Sequence, residues 1–372
     1  MMWPGTTKKG PGVRKVLVCG AVFAATCITA VGMPAGALAT TPEPTPSATP
    51  TDTDTGPVTP SPNGTPSPGD APTPSPSTSS PDAEPRQATG NDSVTSASAV
   101  MVTPKPPSVR TYAYGKNTRQ RLDVYWRQAA KGKSKTAKAK PRPAVLVLHG
   151  GYWLEGDKSD WRYFARRLTG QGFTVIAADY RLATAARWPA QRNDALAALR
   201  FVRKNAGRWN VDPGRIVVMG SSAGGMIATQ LGTYRTGGDL VRGVVALSPV
   251  NTPYLAYQAG LRPGASPAQR KLRGAVSELL RCLPAADASC WERINDANSA
   301  THASAGDAPM LLLHSAGDFV PVTHSTGLAT ALRAAGVPVT VDTVPGRAHG
   351  NGLMNNERVY PQILAWLKAR TR

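Results

Sequence analysis

The stretch Arg215-Ile216-Val217-Val218-Met219-Gly220-Ser221-Ser222-Ala223-Gly224-Gly225-Met226-Ile227-Ala228 decides the reading of this chain. Its first five residues form a short apolar run with three β-branched side chains, the pattern of a strand buried on both faces. From about Gly225 the apolar residues continue as a helix. Between the two lies Gly-x-Ser-x-Gly, the sequence of a sharp strand-to-helix turn that lifts a serine hydroxyl above the sheet. The glycines have a steric reason, because a side chain at either flank would collide across the turn. Only Ser222 has glycine at both minus two and plus two; Met219 and Ala223 stand at those places around Ser221. Ser304 and Ser315 lie in Ser-Ala-Gly contexts but have His302 and Leu313 in place of the leading glycine. A helix N-terminus behind Ser222 favours negative charge developing in front of it.

Further short apolar runs lie on either side: Ala144 to His149, Phe173 to Ala178, Val244 to Leu247, Met310 to His314 and Val337 to Val344. Helical patterns separate them. After Pro189, Ala195, Ala198, Leu199 and Val202 share one face, which leaves Arg192, Arg200 and Arg203 for solvent. Ser325 to Ala335 and Tyr360 to Ala369 are similar, and Ser108 to Tyr114 with Arg121 to Trp126 reads as an antiparallel hairpin at one edge. The fold class is therefore α/β, with a mostly parallel central sheet, helices on both faces and ligands at the carboxyl ends of the strands. Residues 248 to 307 interrupt the series, and a lid-like insertion that shapes the substrate pocket is expected there.

Each remaining chemical signal falls at a strand end. His149-Gly150-Gly151-Tyr152-Trp153 follows the run at 144 to 148, 73 residues before Ser222. Its glycines let backbone N–H groups approach an oxyanion together with the N–H of Ala223. Tyr152 and Trp153 are the expected pocket walls. A serine hydroxyl needs a base, and the base needs an orienting carboxylate. Of five histidines, His149 belongs to the glycine loop, His302 precedes a strand, His314 ends one and His324 starts a helix. His349, in Pro-Gly-Arg-Ala-His-Gly beyond the last run, is the best base. Asp318, beyond the preceding run, is the best acid. Asp342 lies within a strand pattern and Asp307 before one, which suits capping or solvation.

Not all 372 residues suit a packed core. Of the 64 residues from 40 to 103, 38 are Pro, Thr or Ser and none is aromatic, so burial there cannot offset the entropy of ordering. The domains expected are a signal peptide at 1–39, a disordered Pro/Thr/Ser-rich spacer at 40–103 and one catalytic domain at 104–372. Lys8, Lys9, Arg14 and Lys15 precede an apolar stretch, and Ala37-Leu38-Ala39 supplies a small-x-small cleavage site. The competing reading is an uncleaved anchor over Val16 to Met33, weakened by Gly20, Gly32 and Pro34. Cys19 and Cys27 fit a lipobox poorly. Export implies a secreted, extracellular or wall-associated protein, and the two cysteines left, Cys282 and Cys290, then suggest a disulfide.

The net charge of +20 belongs to the C-terminal part, where 38 basic and 16 acidic residues give +22. Such a field favours anionic surfaces, including a cell-wall polymer. No nucleic-acid module accompanies it, so no specific nucleic-acid partner is expected. The run Lys131, Lys133, Lys135, Lys138, Lys140 and Arg142 reads as a solvated loop. Neither zinc spacing nor HExxH occurs, so no metal and no cofactor are expected.

Together these motifs resemble the α/β-hydrolase esterases and lipases of carboxylesterase type, including the hormone-sensitive-lipase and bacterial feruloyl-esterase-like branches. The residues that carry the likeness are HGGYW at 149–153 with Gly156-Asp157-Lys158, Asp179-Tyr180-Arg181-Leu182, Pro189 with Asp194, GSSAGG at 220–225, GDFVP at 317–321 and AHG at 348–350. The order Ser222, Asp318, His349 is the one this fold uses. The resemblance implies a triad of those residues acting through an acyl-enzyme, with Gly150, Gly151 and Ala223 as oxyanion donors. Tyr152 replaces the third glycine of the lipase-branch HGGG, and HGGYW is also similar to the arylformamidase motif. Three readings follow: a serine esterase acting on small or polymeric esters, an amidase, formamidase or peptidase with the same triad, and a non-catalytic basic wall-binding protein.

Overall fold

The computed structural model describes residues 106–128, 140–284 and 288–372. The expected signal, its alternative as an anchor, the Pro/Thr/Ser spacer and most of the lysine run lie outside these residues. Among the described residues no helix is long and apolar enough to cross a membrane.

Among the described residues there are eight strands and nine α-helices, the first two strands forming a hairpin. In chain order they are β1 (Ser108–Ala113), β2 (Arg121–Trp126), β3 (Arg142–Leu148), α1 (Arg162–Gly170), β4 (Thr174–Ala178), α2 (Ala190–Lys204), β5 (Val211–Ser221), α3 (Ala223–Thr233), α4 (Gly237–Leu240) and β6 (Val244–Leu247). Then follow α5 (Pro253–Ala259), α6 (Pro267–Leu280), α7 (Ala288–Ala297), β7 (Met310–Ser315), α8 (Thr323–Ala334), β8 (Val339–Val344) and α9 (Val359–Arg370). The sheet order is β1-β2-β4-β3-β5-β6-β7-β8. Only the β1–β2 and β2–β4 pairings are antiparallel, so β2 alone runs against the sheet, and the hairpin stands at the edge as expected. From β4 to β8 all pairings are parallel.

Period-two alternation divides the strands between two cores. Ala144, Leu146 and Leu148 of β3 face α2, α3 and α8, whereas Val145 and Val147 face α1 and α9. Both faces are covered, which is why these strands read as continuous apolar runs rather than alternating ones. Most boundaries shift by one or two residues from the sequence reading, and that of β5 by more. β5 reaches back to Val211, β8 starts two residues late at Val339, and α3 starts two residues early at Ala223.

One side chain expected in solvent is buried. Arg192 is only 5% exposed. Its guanidinium donates to Asp296 Oδ1 and Gln230 Oε1, both at 3.0 Å, and stacks over Trp188 and Tyr234. Asp296 comes from α7 within the insertion, so a tertiary ion pair overrides the amphipathic pattern of α2.

Candidate active site

The carboxyl ends of β3, β5, β7 and β8 converge on Ser222. Between β5 and α3 the backbone reverses at Ser222 with φ +52°, a left-handed conformation in a non-glycine residue. Glycine on either side makes this turn feasible. A Cβ on Gly220 would lie 2.1 Å from Gly224 O, and one on Gly224 would lie 2.2 Å from His149 O. The turn is braced where Ser222 N–H donates to Leu247 O at 2.8 Å and Met226 N–H to Ser222 O at 3.0 Å. Ala223 opens the helix, so its N–H has no partner within it. Ser222 opens onto a cleft of about 410 Å³ lined by Gly150, Gly151, Tyr152, Asp160, Ser221, His349, Gly350 and Asn351.

His349 and Asp318 meet in that cleft. His349 Nδ1 lies 2.8 Å from Asp318 Oδ1, which also accepts from Val320 N–H at 2.9 Å. An ionised carboxylate only accepts, so Nδ1 carries the proton and Nε2 is left as the acceptor. The Asp318 side chain is fully buried, and among the described residues its Oδ2 has no hydrogen-bond partner. Among the described residues the Ser222 hydroxyl makes no hydrogen bond, so no group competes for its proton in the cleft it shares with His349. Two serines that sequence reasoning missed as supports hold the His349 loop. Ser248 Oγ accepts from Gly350 N–H at 3.0 Å, and Ser315 Oγ donates to Ala348 O at 2.6 Å.

The other candidates stand apart from the cleft. His314 is buried with Nε2 2.8 Å from Ser325 Oγ, and burial pushes the neighbouring His324 down to about 3. His302 contacts Asp296 O. Asp342 accepts from Gln362, and Asp307 accepts from the Ser304 backbone and hydroxyl, a local cap.

Beneath the glycine loop lies a relay that the sequence did not disclose. His149 is fully buried, stacked on Tyr180 at 4.3 Å, and burial pushes its pKa down to about 4. The ring is therefore neutral at pH 7 and carries one proton. Arg119, at the tip of the β1–β2 hairpin, points Nη2 at His149 Nε2 from 3.1 Å. A guanidinium can only donate, so Nε2 accepts and the proton sits on Nδ1, 2.7 Å from Gly150 O. The Gly150–Gly151 peptide is trans, so fixing its carbonyl toward buried His149 aims the Gly151 N–H the opposite way, and both glycines line the cleft. The loop is closed by Arg119 Nη2 donating to Gly156 O at 2.7 Å and by Lys158 N–H donating to Asp179 Oδ1 at 2.6 Å.

Of the two aromatic residues after these glycines, Tyr152 lines the cleft and Trp153 does not. Trp153 is fully buried with φ +60°, packed in the core rather than exposed to a substrate. Tyr152 stacks on Phe319 at 6.1 Å, and Phe319 packs 4.3 Å from the His349 ring. The insertion contributes less to the cleft than expected, since none of the lining residues comes from it. Among the described residues it reaches the site from behind, where Val250 N–H donates to Ser222 O at 3.4 Å and Ser248 Oγ holds Gly350 N–H, and at the rim through Lys271 of α6, which lies 4.5 Å over the Tyr152 ring and pairs with Glu155. Asn251 and Ser299 join it to Thr229 of α3, and a further set of contacts clamps the segment before α2. Trp188 N–H donates to Leu279 O, Arg281 to the carbonyls of Ala183 and Thr184, and Trp188 Nε1 to Asp296 Oδ2. Cys282 and Cys290 form a disulfide with Cα atoms 5.8 Å apart. Among the described residues no group of three or more His, Cys, Asp or Glu could hold a metal ion.

Residues 145–352 match a family described as alpha/beta hydrolase fold. The chain is 27% identical over 273 residues to esterase LipC of Mycobacterium tuberculosis, a match covering 68% of this chain and 62% of that protein. It is 37% identical over 120 residues to carboxylesterase NlhH of the same species, covering 32% of this chain and 35% of the relative. The matches thus span less than two thirds of these relatives' lengths. Among solved structures, esterase B from Lactobacillus rhamnosis superposes with a TM-score of 0.59 at 20% identity, over 72% of this chain and 87% of that one. An acetyl ester-xyloside bifunctional hydrolase from Caldicellulosiruptor lactoaceticus gives 0.56 at 22% identity, over 72% and 98%. At those identities the likeness concerns the fold.

Proposed function

Because the chain belongs to the alpha/beta hydrolase fold family, we propose that it hydrolyses carboxylic esters with Ser222 as nucleophile, His349 as base and Asp318 as the orienting acid. The observation that carries this reading is the Asp318–His349 hydrogen bond at 2.8 Å opening on the same cleft as Ser222. Ser222 Oγ attacks the ester carbonyl carbon as its proton passes to His349 Nε2. The N–H groups of Gly151 and Ala223, with Gly150 alongside, face the developing oxyanion. Collapse of the tetrahedral intermediate breaks the bond to the alcohol oxygen, which takes the proton from Nε2. Water then repeats the sequence on the acyl-enzyme, releasing the acid and restoring Ser222.

A short acyl group suits this cleft, because Tyr152 is the one large apolar side chain among its lining residues. Esterase names among the curated relatives support the reaction class. Export past the membrane, with residues 40–103 as a spacer toward an anionic wall, is supported by the disulfide, which persists in oxidising compartments. The test is hydrolysis of p-nitrophenyl acetate, butyrate and octanoate by the wild type and by Ser222→Ala. Turnover falling at least ~10³-fold in the variant, with acetate preferred over octanoate, is expected. Equal turnover by a folded variant would refute the nucleophile. N-formyl arylamides outpacing matched esters would favour the amidase reading instead.

A further inference from the structure

We propose that the Ser222 cleft continues into a leaving-group subsite for a sugar ring, seated between Tyr163 and the turn Gly350–Asn355. This inference rests on the esterase reading and names the alcohol half of its substrate. A second hollow, of about 470 Å³, is lined by Tyr163, Phe164, Arg167, Met354 and Asn355, together with Asp160 and Asn351. Asp160 and Asn351 also line the Ser222 cleft, so the two hollows share a wall and run on from one another. Each is of the size that holds a small ligand.

The chemistry of this second hollow selects its occupant. Tyr163, on α1, is 73% exposed, although large aromatic rings are seldom left so open. Arg167 lies 5.8 Å from that ring and is fixed from the other side by stacking 3.6 Å over Tyr360. Asn351 and Asn355 are exposed on the 3-10 turn that begins directly after His349. An aromatic face beside two primary amides, a carboxylate and a guanidinium suits a ring with apolar C–H faces and an equatorial belt of hydroxyls. A long aliphatic alcohol would leave those polar groups desolvated without partners.

Direction follows from proton transfer. His349 Nε2 must reach the departing alcohol oxygen, so the alcohol lies on the His349 side of Ser222. The hollow opens on that side, through Asn351 two residues further along. It therefore receives the alcohol, leaving the acyl group beside Tyr152.

The experiment compares O-acetylated xylotetraose with p-nitrophenyl acetate, using the wild type, Tyr163→Ala and Asn355→Ala. In Tyr163→Ala the loss in kcat/KM on the oligosaccharide is expected to exceed the loss on p-nitrophenyl acetate by roughly tenfold, mainly through KM, with a smaller loss in Asn355→Ala. Calorimetric titration of Ser222→Ala with unacetylated xylotetraose gives a readout free of turnover. Binding that disappears in Ser222→Ala/Tyr163→Ala supports the subsite. No binding to Ser222→Ala, or equal losses on both esters, overturns it. Wild type that cleaves p-nitrophenyl acetate but not the oligosaccharide ester sinks the subsite and leaves the esterase standing. No cleavage of either ester sinks the esterase reading, and with it the subsite as a leaving-group site.

Discussion

Replacing Arg119 with Met removes a cation that touches no substrate and yet should lower turnover. Arg119 Nη2 supplies the hydrogen bond that keeps His149 Nε2 an acceptor and, with it, the proton on Nδ1 facing Gly150 O. Without it the ring is free to take the other tautomer, and two acceptors then face each other at Nδ1 and Gly150 O. The peptide can relieve this by rotating, which turns the Gly151 N–H away from the cleft. One oxyanion donor is worth about 3 kcal/mol in the transition state, so complete loss lowers kcat roughly 100-fold, and partial rotation lowers it by about tenfold. KM should change little, because the interaction strengthens only as the carbonyl becomes an oxyanion. Gly156 O also loses its donor, so a stability loss of about 1–3 kcal/mol accompanies the effect and must be measured by urea denaturation. The assay is kcat and KM on p-nitrophenyl acetate, with the inactivation rate by a fluorophosphonate, whose phosphoryl oxygen occupies the same hole. Both rates should fall together, and Arg119→Lys should recover part of the loss, since an ammonium reaches one acceptor where the guanidinium reaches two. Unchanged kcat in a folded Arg119→Met protein, or a loss confined to KM, would refute the relay.

Asp318→Asn should lower kcat by about 10⁴-fold while the fold persists, because an amide can donate to Nδ1 and so put the proton on the nitrogen that must accept from Ser222; stopped-flow burst amplitude separates this from slow product release. Stability should fall as pH drops from 6.5 toward 4. His149 and His324 have pKa values pushed down by burial to about 4 and about 3, so in that window the unfolded chain binds protons that the folded chain does not. At pH 4.5 each contributes a loss of about 3 kcal/mol relative to neutral pH, and His324→Phe should flatten the profile of urea midpoints. Cys282→Ser with Cys290→Ser opens a loop of eight-residue separation and should cost about 2–3 kcal/mol with little change in kcat, as neither sulfur lines the cleft.

The nucleophile turn was readable because its cause is local. Strand, glycine, serine, glycine and helix are contiguous, and the steric demand on Gly220 acts within five residues, whereas that on Gly224 comes from the backbone of Leu148 and His149 at the end of β3. Asp318 and His349 were readable for a related reason: each follows an apolar run, and a parallel sheet brings the ends of such runs together. Arg119 carried no comparable signal. It stands in a hairpin turn whose sequence says only that the chain reverses, and its importance comes from the sheet order, which lays that turn beside His149, 30 residues away. Trp153 misled for the opposite reason. Adjacency to the glycine loop suggested a wall, but positive φ at Gly151, Tyr152 and Trp153 winds the chain so that Tyr152 faces the cleft and Trp153 the core.

The insertion shows how far composition alone can carry an expectation. Its tyrosines, leucines and Trp291 read as a cover for the site, yet polar contacts from it grip Trp188, Arg192 and the chain around Ala183. Burying Arg192 requires a carboxylate partner, because a cation left unpaired in the core costs more than its packing returns. Asp296 meets that need and so ties α7 to α2. No residue of the insertion lines the cleft; near the site it contributes Val250 N–H to Ser222 O, Ser248 Oγ to Gly350 N–H and Lys271 over Tyr152. The cleft is accordingly bounded by the loops after β3 and β8 and stays open toward Asp160 and Asn351. That opening faces the His349 side, where the alcohol must depart. That side therefore leaves room for a bulky leaving group while Tyr152 bounds the other end, and the Tyr163 and Arg119 variants test the leaving-group side and the oxyanion donor separately.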